Sequence, residues 1–164
     1  MEVYSAENIR NIVLLGHGGV GKTTIAEQMA FISKGTTRLG RVADKNTISD
    51  FDPEETKRGF SINTSVLPIE WSSSFIKHKI NVMDTPGYFD FAGEVDEALR
   101  VASGAVIVVS AKAGVQVGTE LAWEKAEKAG LPRMIFVNGM DEDEADLVKV
   151  LEELQEKFGK AIAP

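Results

Sequence analysis

Short apolar runs alternate along this chain with stretches of helical period, and that alternation predicts a sheet crossed by helices. NIVLLG (Asn11–Gly16) reads as a buried strand that passes directly into glycines. A helix then runs from about Lys22 to Ile32, with Ile25, Met29 and Ile32 on one face. SVLPIEW (Ser65–Trp71) and HKINVMD (His78–Asp84) read as a strand pair joined through WSSSFIK. Pro68 sits most easily on an edge strand, because it has no N–H for the ladder. AVIVVSA is a central strand and PRMIFVN (Pro132–Asn138) is another, with helices near Gly93–Ala102 and Gly118–Ala129. In the last helix Leu147, Val150, Leu151, Leu154 and Phe158 fall at helical spacing. An acid-rich first turn suits its dipole, and Gly159 is its expected C-cap. Segment Ser33–Phe60 has almost no periodic pattern, and so long a loop inside a compact domain is functional or mobile as a rule.

Composition narrows the class. The chain has 164 residues, enough for one domain with a real core and too few for two. It contains no cysteine, which excludes disulfides and thiolate metal sites. The longest apolar run, AVIVV (Ala105–Val109), is too short for a bilayer, and MEVYSAENIR lacks a signal-peptide pattern, so a cytoplasmic protein is expected. A net charge of −7 argues against a domain that grips nucleic acid unaided. The acids of DEDEAD (Asp141–Asp146) and EELQE (Glu152–Glu156) read as a solvated helix face.

The glycines after the first strand carry chemistry. GHGGVGKTT (Gly16, His17, Gly18, Gly19, Val20, Gly21, Lys22, Thr23, Thr24) fits G-x-x-x-x-G-K-[ST] at every fixed position, between a strand and a helix as the motif demands. Glycines let successive N–H groups turn inward around phosphates, and the helix start points its positive end at the same anions. Lys22 is expected to reach the outer phosphates and Thr23 to ligate Mg²⁺. The other reading is a ligand-free glycine turn. His17 and His78 are the only histidines and lack an acidic cluster, so neither points to a metal site, and His17 is taken as packing or backbone-bonding.

MDTPGYFDF (Met83–Phe91) is open to two readings. Thr85, Pro86 and Gly87 make good turn chemistry. Beside a phosphate loop, Asp84 also becomes the expected acid that holds Mg²⁺ through water, Gly87 an amide donor to a γ-phosphate, and Tyr88–Phe91 a loop that tightens with nucleotide state. VNGMD (Val137, Asn138, Gly139, Met140, Asp141) places an amide and an acid three apart after the last strand. Asn138 facing N7/O6 and Asp141 accepting from N1–H and the 2-amino group would select guanine over adenine. The plainer alternative is a helix N-cap, with Asp141 and Glu144 as a box.

Together RNIVLLGHGGVGKTT, KRGFSI, INVMDTPGYFDFAGEVDEALRVASGAVIVVSAKAGVQVGTE and LPRMIFVNGMD resemble the GTP-binding domain of elongation factor G and its ribosome-associated relatives, in the family's order and spacing from Ile9 to about Phe158. The nearer likeness is to the elongation factor G-like paralogues. The resemblance implies a translational GTPase that takes GTP/GDP with Mg²⁺ and meets the ribosome. It also implies that Ser33–Ile62 includes the first switch, that Ser61 stands where a Mg²⁺-binding threonine is usual, and that Arg58 approaches phosphate or ribosomal RNA. Three positions depart from the pattern. Tyr88 replaces the histidine associated with the attacking water, and a phenol with a pKa near 10 is a poor base at neutral pH. Gly19 replaces an aspartate, and Gly139 replaces the lysine of N-K-x-D.

The expected fold is an α/β three-layer sandwich of the P-loop GTPase type, a mostly parallel sheet with helices on both faces. Residues 1–164 are read as an incomplete GTP-binding domain, without the family's last guanine-contacting motif and the ribosome-contacting domains beyond it. The expected function is GTP binding, with Lys22, Asp84, Gly87 and Tyr88 serving hydrolysis. A nucleotide-dependent switch or pseudo-GTPase with little hydrolysis is the alternative. An ATPase is opposed by Asn138 and Asp141.

Overall fold

The computed structural model describes residues 3–73 and 76–164. Among these, five strands form one sheet: β1 (Ile9–Leu15), β2 (Ser65–Ser73), β3 (Ile76–Asp84), β4 (Gly104–Ser110) and β5 (Arg133–Asn138), in the order β2-β3-β1-β4-β5. All neighbours are parallel except β2 with β3, so the functional strands share one carboxyl edge. Pro68 lies on the β2 edge, opposite Asn81. Within the WSSSFIK connection, Ser74 and Phe75 lie outside the described residues.

Five α-helices among the described residues, α1 (Lys22–Ile32), α2 (Pro53–Arg58), α3 (Ala92–Val101), α4 (Val117–Lys128) and α5 (Leu147–Phe158), complete the expected three layers. Alternation along each strand sends residues to two cores. Val13, Leu15, Ile107 and Val109 pack with Ala98 and Leu99 of α3, Ala122 and Ala126 of α4, and Val150 and Leu154 of α5. Leu14, Val82, Val106 and Val108 face the other way, onto Ala26 and Ala30 of α1. The expected α1 face packs here through Ile25 and Met29, but the helix's fully buried centre is Ala26 and Ala30. Its small residues let the helix lie close to the sheet, while Ile25 and Met29 are only partly buried and Ile32 is exposed.

Two further details differ from expectation. The aperiodic segment contains α2, begun by a capping box in which Asp52 accepts from the Glu54 amide and the Glu55 carboxylate accepts from the Asp52 amide. In α5 the first turn holds no acid. The acids precede it, and Asp146 caps it by accepting from the Lys149 amide at 3.0 Å. Gly159 ends that helix as expected.

Candidate functional site

The glycine loop runs from the end of β1 into α1, where Gly21 occupies the N-cap with φ +94°. A Cβ there would collide with the Asn138 amide, so both the backbone angle and the space demand glycine. That contact is productive: Asn138 Nδ2 donates to the Val20 carbonyl at 2.9 Å, fastening the end of β5 to the loop. The donors of Asn138 are thus partly engaged by the protein itself. Asp141 is exposed, with no hydrogen-bond partner among the described residues, and it caps no helix. Gly139 between them has φ +75°, a left-handed conformation that disfavours the usual lysine. Met140 is largely exposed.

Lys22 at the start of α1 and Asp84 at the end of β3 are both buried, near enough for each charge to act on the other. Lys22 Nζ donates to the carbonyls of Gly16 (3.0 Å) and His17 (2.9 Å). Burial lowers its pKa to about 8, against the opposing charge of Asp84. Asp84 is 1% exposed, and neither carboxylate oxygen has a hydrogen-bond partner among the described residues. Burial raises its pKa to about 7, outweighing the nearby Thr23 hydroxyl and the Lys22 charge. Thr85 locks the end of β3 to β1 through Oγ1, which donates to the Leu14 carbonyl at 2.6 Å.

Gly87 follows Pro86 and lies against Gly18 and the Lys22 ammonium. Tyr88 then lays its ring over Gly18, where a Cβ would stand 3.1 Å from the ring carbons. The same ring lies 4.8 Å from that of Phe60. His17 packs edge-on to Phe89 and closely against Gly118, and its buried Nδ1 has no partner among the described residues, so packing is its visible role.

The segment bearing α2 closes the far side. Thr23 Oγ1 and Ser61 Oγ are 3.0 Å apart, and Ser61 Oγ donates to Asp50 Oδ1 at 2.7 Å. Burial raises the Asp50 pKa; the hydroxyl of Ser61 opposes this, and the charge of Glu55 adds to it. Gly19, Thr24, Val42, Asp50, Phe60 and Tyr88 are among the residues lining the resulting cleft of about 670 Å³. Arg58 lies away from this chemistry, paired with Glu54 at 3.2 Å. The structure thus brings the glycine loop, Asp84–Tyr88, Ser61 and Asn138 together at one sheet edge, with Asp141 exposed beside them. Asp50 and Phe60 were not anticipated; both come from the aperiodic segment, where no spacing marks them.

The available donors suit a hard cation better than a soft one: one unpartnered buried carboxylate and two neighbouring hydroxyls. Among the described residues, no group of three or more His, Cys, Asp or Glu is placed to hold a metal. No helix among them is long and apolar enough to cross a membrane.

Residues 7–163 match the family described as Elongation factor Tu GTP binding domain. The chain is 39% identical over 163 residues to the mitochondrial ribosome-releasing factor 2 of Culex quinquefasciatus, covering 99% of this chain and 21% of that protein. It is 41% identical to elongation factor G 2 of Streptomyces coelicolor, covering 92% of this chain and 21% of the relative. A crystal structure of a Thermus thermophilus protein superposes with a TM-score of 0.86 at 41% identity, over 92% of this chain and 22% of the other. The chain therefore spans about a fifth of the length of the relatives it matches.

Proposed function

Because the chain belongs to the elongation factor Tu GTP-binding domain family, we propose that it binds GTP and GDP in the cleft above Lys22, and that a protein of its relatives' length hydrolyses GTP to gate an interaction with the ribosome. The observation that carries the nucleotide reading is a buried Lys22 held on the carbonyls of the glycine loop, with a buried Asp84 nearby whose two oxygens are unpartnered among the described residues. The names of the relatives, a ribosome-releasing factor and an elongation factor, support the ribosomal part. A cytoplasmic address belongs to the same proposal.

Amides of Gly16–Thr24 would cradle the phosphates, with the α1 N-terminus behind them. Lys22, already aimed across the loop, would neutralise the outer phosphates. Thr23, Ser61 and Asp84 would hold Mg²⁺, which supplies positive charge to the phosphate oxygens when bound. Gly87 would donate its amide to the γ-phosphate. Tyr88 would orient water by hydrogen bonding through its phenolic oxygen. Catalysis is then positioning and charge stabilisation. Asn138 would steady the loop and meet the base, and Asp141 would select guanine.

The switch or pseudo-GTPase reading draws on one observation: Tyr88 is packed between Gly18 and Phe60, an arrangement suited to sealing the cleft. We further propose that residues 1–164 are an incomplete domain. The support is that β5 is a sheet edge and that Met134 and Phe136 lie uncovered on its α1 side.

Competition of unlabelled GDP, GTP, ADP and ATP against fluorescent GDP in Mg²⁺ buffer tests the site. Guanine-selective competition is expected, and Asp141→Asn should exchange guanine for xanthine preference. Equal competition by adenine nucleotides would remove the base assignment. Single-turnover GTP hydrolysis with ribosomes, in a protein of the relatives' length, separates the enzyme from the switch.

A further inference from the structure

The one carboxylate of α1 is buried without an obvious reason in packing. Glu27 is 1% exposed and lies one turn after Thr23, on the same side of the helix. Among the described residues no lysine or arginine pairs with it, so an alkyl side chain there would avoid a large desolvation cost. What it does touch is the loop. Oε1 accepts the amides of Ile48 (2.7 Å) and Ser49 (3.0 Å). Oε2 is buried without a partner among the described residues and faces Gly40, where an added Cβ would strike it and would itself stand 2.8 Å from Thr47 Cα.

We infer that Glu27 is a positioning residue that draws the aperiodic loop closed over the phosphate cleft, coupling loop closure to the nucleotide; the inference rests on the nucleotide reading above. The path is continuous. Ser49, held by Glu27, is followed by Asp50; Asp50 accepts from Ser61; Ser61 meets Thr23, which brings the loop back to α1. Apolar packing does not supply this attachment, since Ile48 and Phe51 are both exposed. A carboxylate suits the task because each oxygen accepts more than one amide and brings no donor of its own into the loop. Charge-assisted hydrogen bonds of this kind are about twice as strong as neutral ones. Removing Glu27 would leave α1 in place and free the segment that presents Asp50 and Ser61.

Amide hydrogen exchange of the nucleotide-free chain tests the clamp directly. In Glu27→Ala the Ile48 and Ser49 amides should exchange about tenfold faster or more. Glu27→Gln, which keeps one carbonyl acceptor, should restore most of that protection. Gly40→Ala should loosen the same amides from the loop side, without altering α1, so it carries the test if Glu27→Ala does not fold. Both loosening variants should also narrow the affinity ratio of GTP to GDP in Mg²⁺ by about tenfold and leave the preference for guanine over adenine unchanged. Unchanged exchange in Glu27→Ala or Gly40→Ala overturns the clamp. Faster exchange with an unchanged GTP-to-GDP ratio overturns its coupling to the nucleotide. Absence of guanine-selective binding in the unsubstituted chain defeats the nucleotide reading instead, a failure distinct from that of the clamp because the exchange arm needs no nucleotide.

Discussion

A carboxylate that is 1% exposed and has no hydrogen-bond partner among the described residues, as Asp84 is, works against the stability of the ligand-free protein. Its pKa, raised to about 7 by burial, means that the folded state holds a proton which the unfolded chain releases near pH 4. The folded chain therefore binds more protons between those values, and stability falls as pH rises from about 4 to about 7. Asp84→Asn removes the titrating charge. Without nucleotide and Mg²⁺, its melting temperature at pH 8 should exceed that of the parent by roughly 2–4 °C per kcal/mol gained, with a smaller difference at pH 5. Thermal melts at the two pH values check this; a variant less stable than the parent at pH 8 would mean that Asp84 has a stabilising partner in solution. Tyr88 is judged by a separate variant. Tyr88→His should raise ribosome-stimulated single-turnover hydrolysis in the longer protein by about tenfold or more, because an imidazole near pKa 6.5 exchanges protons at neutral pH far better than a phenol. No increase would assign Tyr88 to sealing the cleft alone.

At the scale of elements, two caps differ in what depends on them. Asp146 caps α5 from an exposed position, and Asp146→Ala should cost about 1 kcal/mol. Glu55 is buried within α2 and accepts the amides of Asp52, Ile62 and Asn63. Glu55→Ala leaves those amides short of partners and should cost about 2–4 kcal/mol. Denaturant unfolding of both variants should preserve that order, and the reverse order would show that the α2 region is only weakly attached. These elements also mark what the chain reveals before it is folded. The bounds of α1 are legible because the glycine motif and the helix start coincide. Those of α2 are not, because six residues carry too little period to register, although the D-P-E-E cap is present. The placement of the glycine loop, Asp84 and Asn138 at strand ends is foreseeable from short motifs, although the Asn138–Val20 bond is not. The contacts of Asp50, Phe60 and Glu27 are not, since their roles depend on how an aperiodic loop is folded back onto α1.

For the whole molecule, the sheet is covered unequally. α3, α4 and α5 bury one face, whereas α1 alone packs on the other, and its core ends at Val106 and Val108. Their neighbours in register on β5 are Met134 and Phe136, 59% and 43% exposed. An edge strand with apolar side chains invites pairing with another segment. The incomplete-domain proposal holds that a further strand and helix cover this face in a protein of the relatives' length. Met134→Lys with Phe136→Lys should therefore act oppositely in the two contexts. In this chain, both side chains are already wet, so the pair should shift stability by no more than about 1 kcal/mol and reduce self-association in sedimentation experiments. In the longer protein, the same charges would be buried without partners and should cost about 3 kcal/mol or more. Equal, small effects in both would leave the face uncovered in the longer protein and defeat the incomplete-domain proposal. Large effects in both would mean that this chain already covers β5 by associating with itself.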